Sequence, residues 1–124
     1  GVHAMRDPTR GGLAASLKEM AVASGVALEV SEGDVPVREE VRAFCEVLGL
    51  DPLLLANEGK LLAAVAEEDA PAVLAAVRAH PLGAEAAAIG RVADGRAGEV
   101  SLLTPLGSHR LLRMPSGEHF PRIC

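Results

Sequence analysis

The chain ends on a cysteine, Cys124, at the end of a segment with prolines at positions 115 and 121. A thiol on the last residue of a tail reaches a distant pocket more easily than a thiol in a core, since about ten extended residues span up to ~33 Å. The thiolate is the nucleophilic form of cysteine, and Arg122 is the nearest positive charge in the sequence. We therefore predict a flexible tail over residues 115–124 that carries a reactive thiol, with Arg122 as its support.

Three other interpretations of Cys124 have to be weighed against this one. Prenylation is excluded, because its signal places the cysteine four residues from the end. A disulfide with Cys45 is disfavoured in a cytosolic protein that has a real core, and Cys45 belongs to an apolar stripe that predicts a buried helix face. The stripe consists of Val41, Phe44, Cys45 and Leu48. An ordinary frayed end stays open at this point.

A second polar segment, LDPLLLANEGKL at 50–61, interrupts two apolar runs with Asn57 and Glu58. A carboxylate at the end of a loop that leads into a buried strand is suited to act as a general base. The amide of Asn57 is suited to orient a substrate amide. The alternative is a solvated turn with Gly59 at positive φ, and spacing alone favours the turn.

A third polar segment, DPTRGGLA at 7–14, places Asp7, Arg10, Gly11 and Gly12 at the start of a predicted helix. Backbone N–H groups at a helix start bind anions, and an arginine adds a bidentate clamp for phosphate or carboxylate. The alternative is structural: Asp7 or Thr9 caps the helix and the glycines form a tight turn. From the residues alone, the two readings are equally supported.

Apolar periodicity predicts the elements that position these segments. Helices are expected over about 11–24, 37–48 and 69–80, the first two with glycine C-caps at Gly25 and Gly49. Strands are expected over 26–30, 60–66, 87–93, 99–104 and 108–114. The strand at 60–66 is predicted to be central and covered on both faces, and those at 87–93 and 99–104 to form a hairpin. The class is α/β (α+β), with a mixed β-sheet flanked by helices in the order αβαβαβββ over residues 1–114.

Composition narrows the function classes. With 124 residues, 49% of them apolar and 23% charged, the chain is expected to form one globular domain. No apolar run is long enough to span a bilayer, so no membrane role is expected and the cytoplasm is the default. The absence of Trp and Tyr and the acidic middle of the chain argue against nucleic-acid binding. The four histidines show no ligand spacing, so no metal site is predicted on this chain.

The three polar segments together resemble the HypE family of hydrogenase maturation proteins, in its C-terminal domain. DPTRGGLA at 7–14 is similar to the element that opens this domain in the larger family of aminoimidazole ribonucleotide synthetase, selenophosphate synthetase and thiamine-monophosphate kinase. LDPLLLANEGKL at 50–61 is closer to the maturation proteins, and PRIC at 121–124 is similar to their ending. The chain begins with glycine and a motif follows within a few residues, so we expect a piece of a longer protein whose upstream domain is absent.

The resemblance implies an ATP-dependent carbamoyl dehydratase, a lyase that converts an S-carboxamide on Cys124 to an S-cyanide. It implies ATP and magnesium bound mainly by the upstream domain, carbamoylation by HypF, and transfer of cyanide to iron held by a HypC–HypD complex. A homodimer is implied for the full-length protein, and the piece alone is expected to be inactive. Glu58 would be the base and Asn57 would position the group, while Asp7, Arg10, Gly11 and Gly12 would lie near phosphates or the docked tail.

Overall fold

A computed structural model describes residues 1–8, 10–56 and 59–112 of the chain. Strands and helices alternate as far as residue 78 and three strands follow, which confirms the mixed α/β class. The elements are β1 (Val2–Arg6), α1 (Gly12–Ser24), β2 (Ala27–Ser31), α2 (Glu39–Leu48), β3 (Leu62–Val65), α3 (Ala70–Arg78), β4 (Gly90–Ala93), β5 (Val100–Leu103) and β6 (His109–Leu111). Short 3₁₀ turns lie at Glu32–Asp34, Pro52–Leu54, Glu67–Asp69 and Pro81–Gly83.

The larger sheet is mixed, with the strand order β4-β2-β5-β6. β2 runs parallel to β5 and antiparallel to β4, and β6 is antiparallel to β5. The predicted hairpin between β4 and β5 is therefore wrong, because β2 lies between them. The connection over 94–98 crosses the start of β2 instead of turning back, and Gly98 N donates to Val26 O at 2.8 Å.

The smaller sheet consists of β1 and β3, paired antiparallel. The sequence reading missed β1 and wrongly made the strand at 60–66 central and covered on both faces. Met5 is 56% exposed and Leu61, just before β3, is 60% exposed. A short apolar run does not by itself identify which elements of the fold cover the segment, or how many of its faces are covered.

The core lies between α1 and the larger sheet. Ala14, Leu17 and Ala21 of α1 are buried against Val100 and Leu102 of β5. The helix ends as expected at Gly25, which has φ 65° and whose backbone N–H faces the carbonyls of the last turn. Because the apolar faces of α1 and β5 are buried against each other, α1 is fixed on the sheet, and so is the loop that leads into the start of α1.

The second helix, α2, is only partly buried. Cys45 is 1% exposed, as predicted, and Gly49 ends the helix with φ 68°. The rest of the predicted stripe is not buried in this chain, since Phe44 is 61% and Leu48 53% exposed. The periodicity correctly indicated the helix and its apolar face, but only one residue of that face meets the core.

Candidate functional site

The start of α1 is built from two glycines in the left-handed region. Gly11, and not Asp7, occupies the N-cap position, with φ 76° and no side chain of its own to cap the helix. Thr9, the other capping candidate, lies outside the described residues. Gly12 has φ 68° and is buried. Both positions therefore need the conformational freedom of glycine.

Gly12 packs directly on the backbone of the second motif. A Cβ at this position would lie 2.7 Å from the carbonyl oxygen of Leu53 and closer still to that of Leu55. Only a residue without a side chain allows α1 to approach the 3₁₀ turn Pro52–Leu54 so closely. The structure thus brings together the segments at 7–14 and 50–61, which the sequence placed far apart.

Asn57 and Glu58, the candidate catalytic residues of the second motif, lie outside the described residues. The chain on either side of them is described. Leu53 is 4% exposed, so the loop is anchored in the core shortly before Asn57. Gly59 has φ 71°, as the turn interpretation required. A positive φ at Gly59 is compatible with either role for Glu58, because a turn also presents side chains to a ligand.

Asp7 and Arg10 are both exposed beside the start of α1. The backbone of their loop is held in place: the Asp7 carbonyl accepts a hydrogen bond from the hydroxyl of buried Ser16 at 3.3 Å. Arg6, at the end of β1, forms an ion pair with Glu19 of α1. The loop is therefore fixed on both sides, while the side chains of Asp7 and Arg10 remain open to solvent.

The root of the tail lies against the same core. Leu112, the last described residue, is 6% exposed and its N–H donates to Val100 O at 2.8 Å. It belongs to the buried cluster that includes Leu53 and Ala14. Arg122, Cys124 and the whole tail over 115–124 lie outside the described residues, as do residues 113 and 114.

A charged cluster that sequence reasoning missed lies between the tail root and the second motif. The guanidinium of Arg110 in β6 is 3.3 Å from a carboxylate oxygen of Glu32 and 3.8 Å from Oδ2 of Asp51. The other Asp51 oxygen accepts a hydrogen bond from the N–H of Leu53 at 3.0 Å. The Asp51-Pro52 pair signals a capped turn in the sequence, but nothing local identifies Arg110 as its partner.

Metal and membrane features were sought only in the described ranges. Residues 1–8, 10–56 and 59–112 contain no group of three His, Cys, Asp or Glu side chains placed to hold a metal ion. Within those ranges, no helix has both the length and the apolar character needed to cross a membrane.

Fold and motifs together define the class of protein. The chain belongs to the family described as "AIR synthase related protein, C-terminal domain", whose sequence profile matches residues 1–102. Within that family the expected resemblance to HypE is confirmed. The chain is 54% identical over 123 residues to carbamoyl dehydratase HypE of Rhizobium leguminosarum bv. viciae, covering 99% of this chain and 35% of that protein. It is 49% identical over 124 residues to carbamoyl dehydratase HypE of Escherichia coli (strain K12), covering 100% of this chain and 36% of that protein.

Solved structures agree with the sequence comparison. A structure of hydrogenase maturation protein HypE in complex with ATP is 53% identical, with a TM-score of 0.92 over 99% of this chain and 38% of that chain. A chain of a HypE–HypF complex is 38% identical, with a TM-score of 0.87 over 92% of this chain and 37% of that chain. The chain thus spans little more than a third of the relatives that it matches.

Proposed function

We propose that this chain is the C-terminal domain of an ATP-dependent carbamoyl dehydratase that makes cyanide ligands for the nickel-iron centre of a hydrogenase. The observation that carries the proposal is the similarity to carbamoyl dehydratase HypE, which extends over all 124 residues and so includes the terminal cysteine. Residues 1–114 would form the folded domain and 115–124 the tail. The upstream part of the protein would supply most of the ATP site.

In this proposal Cys124 is the carrier of the reacting group. Its sulfur accepts a carbamoyl group from the carbamoyltransferase HypF, a partner supported by the similarity to a HypE chain in a HypE–HypF complex. Sulfur is nucleophilic enough to accept the group, and a cyanide on sulfur stays labile enough to be passed on. The acceptor would be iron held by a HypC–HypD complex, and that complex would also supply the two electrons needed to release cyanide and leave a thiolate on Cys124.

The dehydration needs an activated oxygen and a base. The amide oxygen of the S-carboxamide takes the γ-phosphoryl group of ATP, which turns a poor leaving group into phosphate. Phosphoryl transfer releases ADP and the first of the two amide N–H protons, and it leaves an O-phosphorylated imidate on sulfur. Glu58 then removes the second N–H proton as the C–O bond breaks and phosphate leaves, so that a C≡N bond forms on sulfur. Asn57 holds the amide in position. The burial of Leu53 and the close approach of Gly12 to the Leu53 carbonyl hold the start of the loop that leads to Asn57 and Glu58.

We propose that the segment containing Asp7, Arg10, Gly11 and Gly12 faces the ATP phosphates or the docked tail. Arg10 is exposed there, and the helix that starts at Gly12 offers N–H groups to an anion. The solved HypE–ATP complex supports ATP as the phosphoryl donor. The part of the chain that the structure describes offers no cluster that fits magnesium. In this proposal any magnesium would be bound mainly by the upstream part of the protein.

We further propose that the full-length protein is a homodimer and works in the cytoplasm, where thiols stay reduced. The alternative function is a docking and carrier module that presents Cys124 without turnover. In that case the catalytic groups would belong to other parts of the full-length protein, of which the chain covers 35% in the Rhizobium relative. The equivalent domain of another ATP-dependent synthetase of the same family is disfavoured by the 54% identity to HypE.

One reconstitution separates the enzyme from the carrier. The full-length protein and the 124-residue chain are each incubated with HypF and its carbamoyl donor, and then with ATP. If the proposal is correct, the full-length protein accumulates S-cyanide on its C-terminal peptide only when ATP is present. A carbamoyl adduct that persists in the full-length protein with ATP would instead support the carrier module.

A further inference from the structure

We propose that Arg110 is a positioning residue that holds the root of the tail in register with the loop carrying Asn57 and Glu58; this inference rests on the function proposed above. A carrier tail can deliver its group from many directions, but a base accepts a proton only over hydrogen-bond distance. The point from which the tail leaves the domain therefore affects the rate. Arg110 is the described side chain that connects this point to the catalytic loop.

On the loop side, the connection runs through Asp51. One Asp51 oxygen lies 3.8 Å from the Arg110 guanidinium, and the other accepts the Leu53 N–H at 3.0 Å. Leu53 is buried, and its carbonyl faces Gly12. A shift of Asp51 therefore moves the start of the loop that leads to Asn57.

On the tail side, the connection is the strand itself. Arg110 lies opposite Leu102 in the β5–β6 pair, and Leu112 is fixed two residues later by its bond to Val100. The predicted tail over 115–124 follows further along the chain. Glu32 lies 3.3 Å from the same guanidinium nitrogen that contacts Asp51, so Arg110 pairs with acids of two separate segments.

The cluster is suited to positioning more than to stability. The Arg110 side chain is 47% exposed and those of Glu32 and Asp51 are 31% exposed, and ion pairs at that exposure add little to folding stability. Misplacement of reacting groups, in contrast, lowers rates steeply, because a displacement of about 1 Å costs up to ~10²-fold. Loss of Arg110 is therefore expected to change the reaction far more than the fold.

The test uses full-length protein carbamoylated beforehand, so that HypF docking does not enter, and follows the single-turnover conversion to S-cyanide after ATP is added. Arg110→Gln is expected to lower this rate about 5- to 10-fold, and Arg110→Lys to restore most of it. Arg91→Gln is the matched control, because Arg91 pairs with Glu29 at the same 3.3 Å on the opposite edge strand of the sheet. We expect its rate and its unfolding midpoint to stay close to those of the wild type.

A second background separates positioning from a general structural role. A short flexible Gly-Ser insertion between Leu112 and Arg113 separates the tail from its root at Leu112, so Arg110→Gln should lower the rate there by less than about 2-fold. An equal loss in both backgrounds, or an equal loss in Arg91→Gln, would overturn the inference while leaving the dehydratase intact. A wild-type protein that forms no S-cyanide would overturn the proposed function and the inference together.

Discussion

Replacing Gly12 with alanine tests the contact that joins the two motifs. Gly12 has φ +68°, and a non-glycine residue in the left-handed region costs about 1–2 kcal/mol. The new Cβ would also lie 2.7 Å from the Leu53 carbonyl oxygen. That atom belongs to backbone, so the turn has to withdraw, and overpacking of this kind costs about 1–3 kcal/mol. We expect the free energy of unfolding to fall by about 2–5 kcal/mol in total.

Gly25→Ala is the matched control for this prediction. Gly25 ends the same helix with φ +65°, and a Cβ there meets nothing within 4 Å. It should therefore show only the left-handed cost of about 1–2 kcal/mol. The difference between the two variants isolates the close approach of α1 to the second motif.

Urea unfolding followed by circular dichroism gives both free energies, and single-turnover formation of S-cyanide gives the functional effect. Because the displaced turn leads to Asn57 and Glu58, Gly12→Ala should also slow the reaction, by up to ~10²-fold for a shift of about 1 Å. Gly25→Ala should leave the rate unchanged. Equal destabilisation by the two substitutions would refute the close packing, and an unchanged rate in Gly12→Ala would refute its link to the catalytic loop.

Two further predictions concern Glu58 and Cys45. Glu58→Gln should let the S-carboxamide accumulate when ATP is present, with a rate loss of about 10²- to 10⁴-fold that is typical of a lost general base. Mass spectrometry of the C-terminal peptide measures this, and a normal rate of S-cyanide formation would show that Glu58 is not the base. Glu67→Gln, which changes an exposed acid before α3, serves as the control. Cys45→Ser should cost about 1–3 kcal/mol in urea unfolding, because it buries a hydroxyl at a position that is 1% exposed. Phe44→Ser, on the neighbouring 61% exposed side chain, should cost less than about 0.5 kcal/mol; equal losses would contradict the described burial of α2.

The features that the sequence predicted well depend on neighbouring residues. The helix ends at Gly25 and Gly49 follow from local backbone geometry, and so do the start of α1 and the turn at Gly59. The burial of Cys45 followed from helical spacing. The class of fold and the family resemblance also came from these local patterns.

The features that the sequence missed depend on distant segments. The glycines at 95 and 98 are compatible with a hairpin. In the structure, however, β2 pairs with β4 on one side and with β5 on the other, which residues 94–98 alone do not indicate. The exposure of Phe44 follows from where the core ends, which spacing along one helix cannot indicate. Gly12 was predicted as an anion site or a turn, whereas its contact with Leu53 and the pairing of Arg110 with Asp51 join segments far apart in sequence.

The central claim is that the amide oxygen on Cys124 leaves as phosphate. Full-length protein carrying a carbamoyl group labelled with oxygen-18 is mixed with ATP, and the C-terminal peptide and the released phosphate are weighed. Dehydration through a phosphorylated amide predicts that the adduct, about 45 Da with the label, loses about 20 Da, and that the label appears in inorganic phosphate. Cys124→Ala should carry no adduct. The account would be contradicted if the label appeared in water. It would also be contradicted if the whole carbamoyl group were lost from Cys124 without formation of S-cyanide.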